Sequence, residues 1–302
     1  MLNNFFRLNG TPTDILRKSD LINTITANQE IKNIIYRPEI LKPKKGHPRI
    51  KINGKKFNNV SFSKTVLKNI DFTLCQFEDC LFVGTKFENC KFRQCIFNNV
   101  NTHEIAFKQT YINPKSFINN FVKSDIRKAN IAVHLFQELL NNSRDEEQSD
   151  FARISNFHFK TWQGRLSRSK YYHSQPYPIT FVEFNKEFVP NYINRIFFGY
   201  GLRLRNFIYT FAFFFTVCYI TNWIHWKDYG LHEKDFPIRS FYPKVFDYKA
   251  NIYYTADVMT QLVDSQFQPS SDYGMTMLTI QGITGFVLFS FLITVLINRF
   301  VK

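Results

Sequence analysis

Between Thr260 and Gln266 the chain reads TQLVDSQ, a run of polar side chains in an otherwise mostly uncharged region. Thr260, Gln261, Asp264, Ser265 and Gln266 carry oxygen atoms of the kind that replace part of a cation's water shell; Leu262 and Val263 complete the segment. Asp264 adds a charge that concentrates cations and repels anions. Gathered around one axis in several copies, these carboxylates would form a ring. Like charges so close raise one another's pKa, so the ring can hold fewer charges than it has members at neutral pH. Asp257 upstream is positioned to hydrogen-bond a neighbouring helix, and Asp272 downstream to cap the helix that follows. Gly282 and Gly285 give that helix either a place to bend, as a gating hinge, or a place for close packing.

Other candidate chemistry is weaker. Cys75, Cys80, Cys90 and Cys95 show C-x4-C spacing, but metal sites favour tighter spacing with nearby histidines, so buried thiols are the better reading. Cys218 lies inside an apolar run and is read as a packing residue. His225 and His232 lack a third ligand at recognisable spacing. There is no Gly-rich phosphate loop, no His-Glu metal motif and no nucleophile constellation, so neither an enzyme nor a cofactor is expected.

The elements that must hold the polar segment are two long apolar runs. Asn206 to Trp226 is 21 residues without a charge, and Tyr273 to Asn298 is 26. Each is long enough to cross about 30 Å of hydrocarbon as a helix. The mean hydropathy of −0.25 conceals them. Arg195, Arg203 and Arg205 precede the first run, and Arg299 and Lys302 follow the second, so both termini are expected in the cytoplasm of a multi-pass protein of the cell (inner) membrane. The start, MLNNFFRLNG, lacks the pattern of a secretory signal. The net charge of +15 fits attraction to anionic lipids, and no recognition motif argues for nucleic acid.

The layout from Tyr253 to Phe300 resembles, without a gap, the pore region of two-transmembrane potassium-channel-like proteins. There an aromatic pair opens the pore helix, and a Pro, an Asp and a Gly close the loop before the inner helix; here these are Tyr253 and Tyr254, Pro269, Asp272 and Gly274. The resemblance implies a pore helix over about 251–262, spans over about 206–226 and 276–298, and a homotetramer. It also shows a departure. Where that family carries Thr-Val-Gly-Tyr-Gly, this chain has Gln261 to Ser265, without glycine, so a stack of inward carbonyls is not expected and potassium selectivity should be absent.

A second signal occupies the middle of the chain. Phe57, Phe62, Leu67, Phe72, Phe77, Phe82, Phe87, Phe92 and Phe97 recur every five residues. A column of small or apolar residues, Val60, Thr65, Ile70, Cys75, Cys80, Thr85, Cys90, Cys95 and Val100, shares the period two places ahead. Neither helix nor flat strand produces a period of five, but a solenoid does. The pattern resembles the pentapeptide-repeat family, which implies a right-handed four-sided β-helix with both columns inward. Gly54 to Asn101 alone would make some two and a half coils and would need capping at both ends. From Lys51 to Asn101 there are eight basic and four acidic residues, which disfavours mimicry of DNA.

Ala132, Leu135, Phe136, Leu139 and Leu140, then Phe151, Ile154, His158 and Trp162, predict two antiparallel helices, with Ser143 and Glu146 as a capping box between them. Gly199-Tyr200-Gly201 precedes the first apolar run and is read as a turn at the membrane surface, not as a filter. The whole order resembles bacterial proteins that join pentapeptide repeats to a two-span channel. The domains expected are an N-terminal segment (1–50) for which no chemistry is offered, a solenoid (51–112), a helical hairpin and linker (113–205) and a two-span pore domain (206–302). The expected function is a tetrameric channel that passes monovalent cations without potassium selectivity, regulated or docked through a cytoplasmic protein or ligand. The alternatives are a non-conducting membrane scaffold that presents the repeats to a protein partner, and an effector that depolarises the membrane under stress or phage attack.

Overall fold

The structure is a computed structural model that describes residues 7–44, 46–122, 125–174, 177–233, 248–262 and 267–300, with side chains as far as 297. The chain divides into two units, Met1–Tyr192 and Ile193–Lys302.

The first unit is built on a β-solenoid. One face stacks Thr13–Ile15, Glu30–Tyr36, Lys56–Ser61, Gln76–Glu78 and Ile96–Asn98 as parallel strands, so the solenoid has about five turns. Two further faces are four-stranded and parallel, and the fourth is held by bridges from Ser61 to Leu81 and from Leu81 to Asn101. Phe57 pairs with Phe77 and Phe77 with Phe97, an offset of 20 residues, so four five-residue repeats close one square coil. Each corner turns through a left-handed residue at the same period, among them Asn59, Asn69, Asp79, Asn89 and Asn99. Asn and Asp tolerate that conformation better than other side chains with a Cβ, which is why they recur two places after the large residue.

The large column forms the core. Phe57, Phe77 and Phe97 stack at 5.0 and 4.9 Å between ring centroids, and Phe72 stacks on Phe92 at 4.9 Å. The small column lies beside it, also inward. Each thiol there donates to the carbonyl of the large residue 23 positions earlier: Cys75 to Ile52, Cys80 to Phe57, Cys90 to Leu67 and Cys95 to Phe72, at 3.2 to 3.6 Å. Thr85 and Thr110 do the same to Phe62 and Phe87. Burial pushes the Cys80 thiol up to about 12 and the Cys90 thiol to about 11, so both stay protonated at neutral pH.

The solenoid begins well before the strict period does. Ile31, Tyr36 and Leu41 are buried inward residues spaced by five, but Ile31 pairs with Phe57 and Leu41 with Leu67 at an offset of 26. The difference, 26 − 20 = 6 residues, is extra chain between Leu41 and Ile52, which contains the basic turn at 42–46 and hides the period. Helix α1 (Lys18–Ala27) buries Leu21 and Ile25 at this end.

At the other end two asparagines stand in for the coil that would come next. Asn120 accepts from the Val100 N–H at 2.6 Å and donates to its carbonyl at 2.8 Å. Asn142 does the same for Thr110, at 3.0 and 2.7 Å. A side-chain amide satisfies an open strand edge as a peptide group would, without offering a further edge. Asn142 belongs to α2 (Ala129–Asp145), which forms the expected antiparallel hairpin with α3 (Ser149–His173). Leu135, Phe136, Leu139 and Trp162 join the same apolar core as the solenoid phenylalanines, so the hairpin serves as its lid. His158 stacks on Phe136 at 5.0 Å as a packing ring.

The capping box at Ser143 and Glu146 does not form. Ser143 is buried within α2 and its hydroxyl donates to the Leu139 carbonyl. The helix runs one turn further than its polar residues suggested: Asn142 reaches the Thr110 backbone, and buried Ser143 returns its hydroxyl to the carbonyl one turn back in its own helix. A reciprocal capping box is found instead at Thr180 and Glu183, opening α4 (Phe181–Ile193). Gly164 of α3 lets α4 approach: a Cβ there would sit within 3 Å of the Asn191 side chain.

The second unit contains α5 (Leu204–His225), α6 (Tyr248–Thr260) and α7 (Asp272–Phe300), with a short antiparallel pairing of Leu231–Glu233 against Phe267–Pro269. Among the described residues, α5 and α7 are the two helices long and apolar enough to cross a membrane. Before α5, Gly199, Tyr200 and Gly201 are all left-handed, with φ of 53°, 59° and 69°, which makes the expected turn. Gly199 must be glycine for space as well, because a Cβ would meet the Arg203 side chain at 2.9 Å.

Candidate functional site

The site that the second unit builds is the seat of α6 between α5 and α7. Two apolar helices give little reason to choose one packing over another in an apolar surrounding, since lipid is as good a partner as a leucine. Polar side chains and small residues supply the choice, and both are present.

At the centre is Asn222 of α5, fully buried. Its amide nitrogen donates to the Thr255 hydroxyl of α6 at 2.8 Å and to Gln281 Oε1 of α7 at 3.1 Å. Its oxygen accepts from Gln281 Nε2 at 2.6 Å and from the Tyr229 hydroxyl at 3.0 Å. Thr255 donates onward to Asn251, whose amide donates to the Tyr219 carbonyl of α5. The hub thus ties all three helices through neutral groups whose partners are all protein. In a low-dielectric environment, leaving any of them unpaired is costly.

One helical turn along α6 and α7, the contact becomes backbone on backbone. A Cβ at Gly285 would lie 1.9 Å from the Met259 carbonyl oxygen, which no side chain can occupy. At Gly282 the nearest atom is the Val258 carbonyl oxygen at 3.9 Å, an ordinary contact. The two glycines considered as hinges therefore differ. Gly285 is the point of closest approach of α6, while Gly282 has room, and α7 continues as helix through both.

On the outer side of the hub, Trp226, Tyr229, Leu231, Tyr254 and Val258 form a separate apolar cluster. Tyr254, one of the aromatic pair, is buried there, while Tyr253 is exposed. The loop returning to α7 is fastened by Ser271, whose hydroxyl donates to the Asp228 carbonyl at 2.6 Å and accepts from the Gly274 N–H at 3.0 Å. Ser271, not Asp272, is thus the side chain that caps α7; Asp272 follows as its first residue, where a carboxylate favours the helix dipole. Gly274 admits the Tyr229 carbonyl and Pro269, which a Cβ would meet at 2.9 and 2.7 Å.

At the C-terminal end of α6, the Thr260 hydroxyl donates to the Ala256 carbonyl and accepts from the Leu262 N–H, turning the chain out of the helix. Gln261 is left-handed at this turn and Leu262 is exposed. Asp257 is half-buried on α6, and its carbonyl accepts from the Gln261 N–H. Val263, Asp264, Ser265 and Gln266 lie outside the described residues.

The structure thus brings Thr260, Gln261 and Leu262 to the end of α6 and places Asp257, Gly282 and Gly285 on the packed helices. Missing from the sequence-predicted site are Asn222, Gln281, Thr255, Asn251, Tyr229 and Ser271. The available signal was Asn222 and Gln281, the carboxamides in the interior of the two apolar runs, since such groups in apolar helices need a partner.

Comparison with known proteins finds a match only within the first unit. Residues 61–99 match the pentapeptide-repeat family in eight copies, the stretch that forms the regular coils. No curated protein is similar enough to match the chain.

Proposed function

We propose that the chain is the subunit of a homotetrameric membrane channel, permeable to monovalent cations and not selective for potassium. The observation that carries this reading is α6, a short helix held between two membrane-length helices by the Asn222, Thr255 and Gln281 hydrogen bonds, with a polar segment at its C-terminal end. A single copy with two spans encloses no aqueous path, so irregular polar backbone at that depth needs neighbouring copies to line a cavity. On this reading α6 is a re-entrant pore helix and Thr260 to Gln266 line the narrow part of the pore. The Asp264 ring sets preference for cations, and the first unit lies in the cytoplasm, where it meets a regulator or docking partner.

Reconstitution in liposomes tests the reading: purified protein should carry monovalent cation flux, and its absence with candidate activators supplied sinks it. In a conducting protein, Asp264→Asn should move the reversal potential toward that of anions, and an unchanged value removes Asp264 from the pore lining.

The second reading is a non-conducting membrane anchor that presents the solenoid to a protein. The lack of glycine between Gln261 and Gln266 favours it, because a scaffold needs no carbonyl filter. Flux separates the two.

A further inference from the structure

On one corner of the solenoid, chain from three successive coils surrounds a cavity of about 540 Å³, within the usual size for small-molecule sites. Its polar wall holds Arg37, Lys64 and Lys86, with the Ser61 and Ser63 hydroxyls beside them and Glu39 as the one acid, a net charge of 3 − 1 = +2. Elsewhere on the solenoid some lysines meet glutamates: Lys56 meets Glu78 and Lys68 meets Glu88 across coils, both at 2.9 Å, and Lys32 meets Glu30 on its own strand at 2.8 Å. The residue stacked beneath Lys64 is Gly84, whose missing side chain leaves the floor open, and Lys86 stacks between Val66 and Ala106. Neither lysine has a carboxylate at ion-pair distance among the described residues. Arg37 is anchored by Asp14 at 3.0 Å, which fixes one cation at the rim.

The rest of the lining is apolar. Ile40 is a large side chain left nearly half exposed, and Val66 is half-buried beside it. Ser61 is held in place by its bonds to the Ser63 hydroxyl and N–H. Two lysines without a direct ion pair, a fixed arginine and the Ser63 hydroxyl, together with the apolar surface of Ile40 and Val66, match a phosphate group carried on an organic body.

We propose that this cavity binds a small organic phosphate monoester, its phosphate held by Lys64 and Lys86 and its organic part resting on Ile40 and Val66. The site stands on the solenoid alone and does not depend on whether the second unit conducts ions. The same phosphate chemistry could arrive on a nucleotide or on a lipid headgroup. Titration calorimetry on the full chain in neutral detergent, at low salt, would use AMP, soluble dihexanoyl phosphatidic acid, inorganic phosphate and sulfate as probes. At least one of the two monoesters should bind more tightly than inorganic phosphate, and the tighter of the two identifies the source. The double substitution Lys64→Asn and Lys86→Gln should weaken that binding about a hundredfold, roughly tenfold for each charge-assisted contact. Asn is chosen because residue 64 is left-handed, with φ of 60°. Both side chains are exposed, so elution profile and circular dichroism should be unchanged. Two results would each overturn the proposal: no monoester binding tighter than inorganic phosphate and sulfate, or equal affinity in the double variant.

Discussion

The two units obtain a unique structure by opposite means. In the solenoid from Phe57 onward each coil repeats the one before: a large apolar residue inward, a small or apolar one beside it, a left-handed corner two places on. No single residue specifies the register, because each neighbouring coil specifies it again. In the second unit nothing repeats. One asparagine, one glutamine and one glycine decide how three helices meet. Redundant order predicts graded losses when single residues are removed, and singular order predicts abrupt ones.

The most severe test is Gly285→Val. With the Met259 carbonyl oxygen 1.9 Å from the position of any Cβ, α6 must leave its seat, at a cost of about 4 kcal/mol or more. Gly282→Ala, one turn away and with 3.9 Å of room, should stay within about 1 kcal/mol of the parent. Thermal unfolding in detergent reads both. Equal effects at the two positions would mean that Gly285 is not the contact that seats α6, and that either glycine can serve as the bend.

Next is Phe77→Ala, in the middle of the Phe57, Phe77, Phe97 stack. Losing a buried ring and leaving a cavity costs about 3–5 kcal/mol. The redundancy of the coils appears in what survives. The strands on either side keep their ladder hydrogen bonds, so circular dichroism should still show a β-solenoid below a lowered transition. A complete loss of β-structure at all temperatures would show that the coils are less independent than their repetition suggests.

How much of this was legible in the sequence follows from the same contrast. A period of five survives any one exception, so the inward columns and the place of Cys75, Cys80, Cys90 and Cys95 could be read from Phe57 onward. The first coils could not, because six residues inserted between Leu41 and Ile52 break the count even though Ile31, Tyr36 and Leu41 keep it. Capping was expected but its agents were not: Asn120 and Asn142 act through a fold that brings them to Val100 and Thr110, and nothing local marks them. Ser143 misled for the converse reason, since its sequence context fits a helix start while burial keeps it inside the helix, with its hydroxyl turned back on the Leu139 carbonyl. In the second unit the helices were visible as uncharged runs, but their contacts were not. Whether Asp272 or Ser271 caps α7 depends on where the chain at Asp228 lies, 43 residues earlier.

The most discriminating effect, smaller than those at Gly285 and Phe77, is expected at the hub. Asn222→Leu removes four hydrogen bonds and leaves the Tyr229 hydroxyl and both the oxygen and the nitrogen of the Gln281 amide without their Asn222 partner. Thr255 keeps its bond to Asn251 and Gln281 can turn toward other oxygens, so the net loss should be about 1–2 kcal/mol rather than the sum of four bonds. Gln281→Leu should cost a similar amount. The two together should cost less than the sum, by about 1 kcal/mol, because the second substitution removes the amide that the first leaves unsatisfied. If the losses simply add, Asn222 and Gln281 do not act as one unit and the seat of α6 rests on Gly285 alone. If the double variant is stable yet carries less flux than the parent in liposomes, the hub contributes to how α6 presents Thr260 and the segment after it, not merely to whether the helices associate.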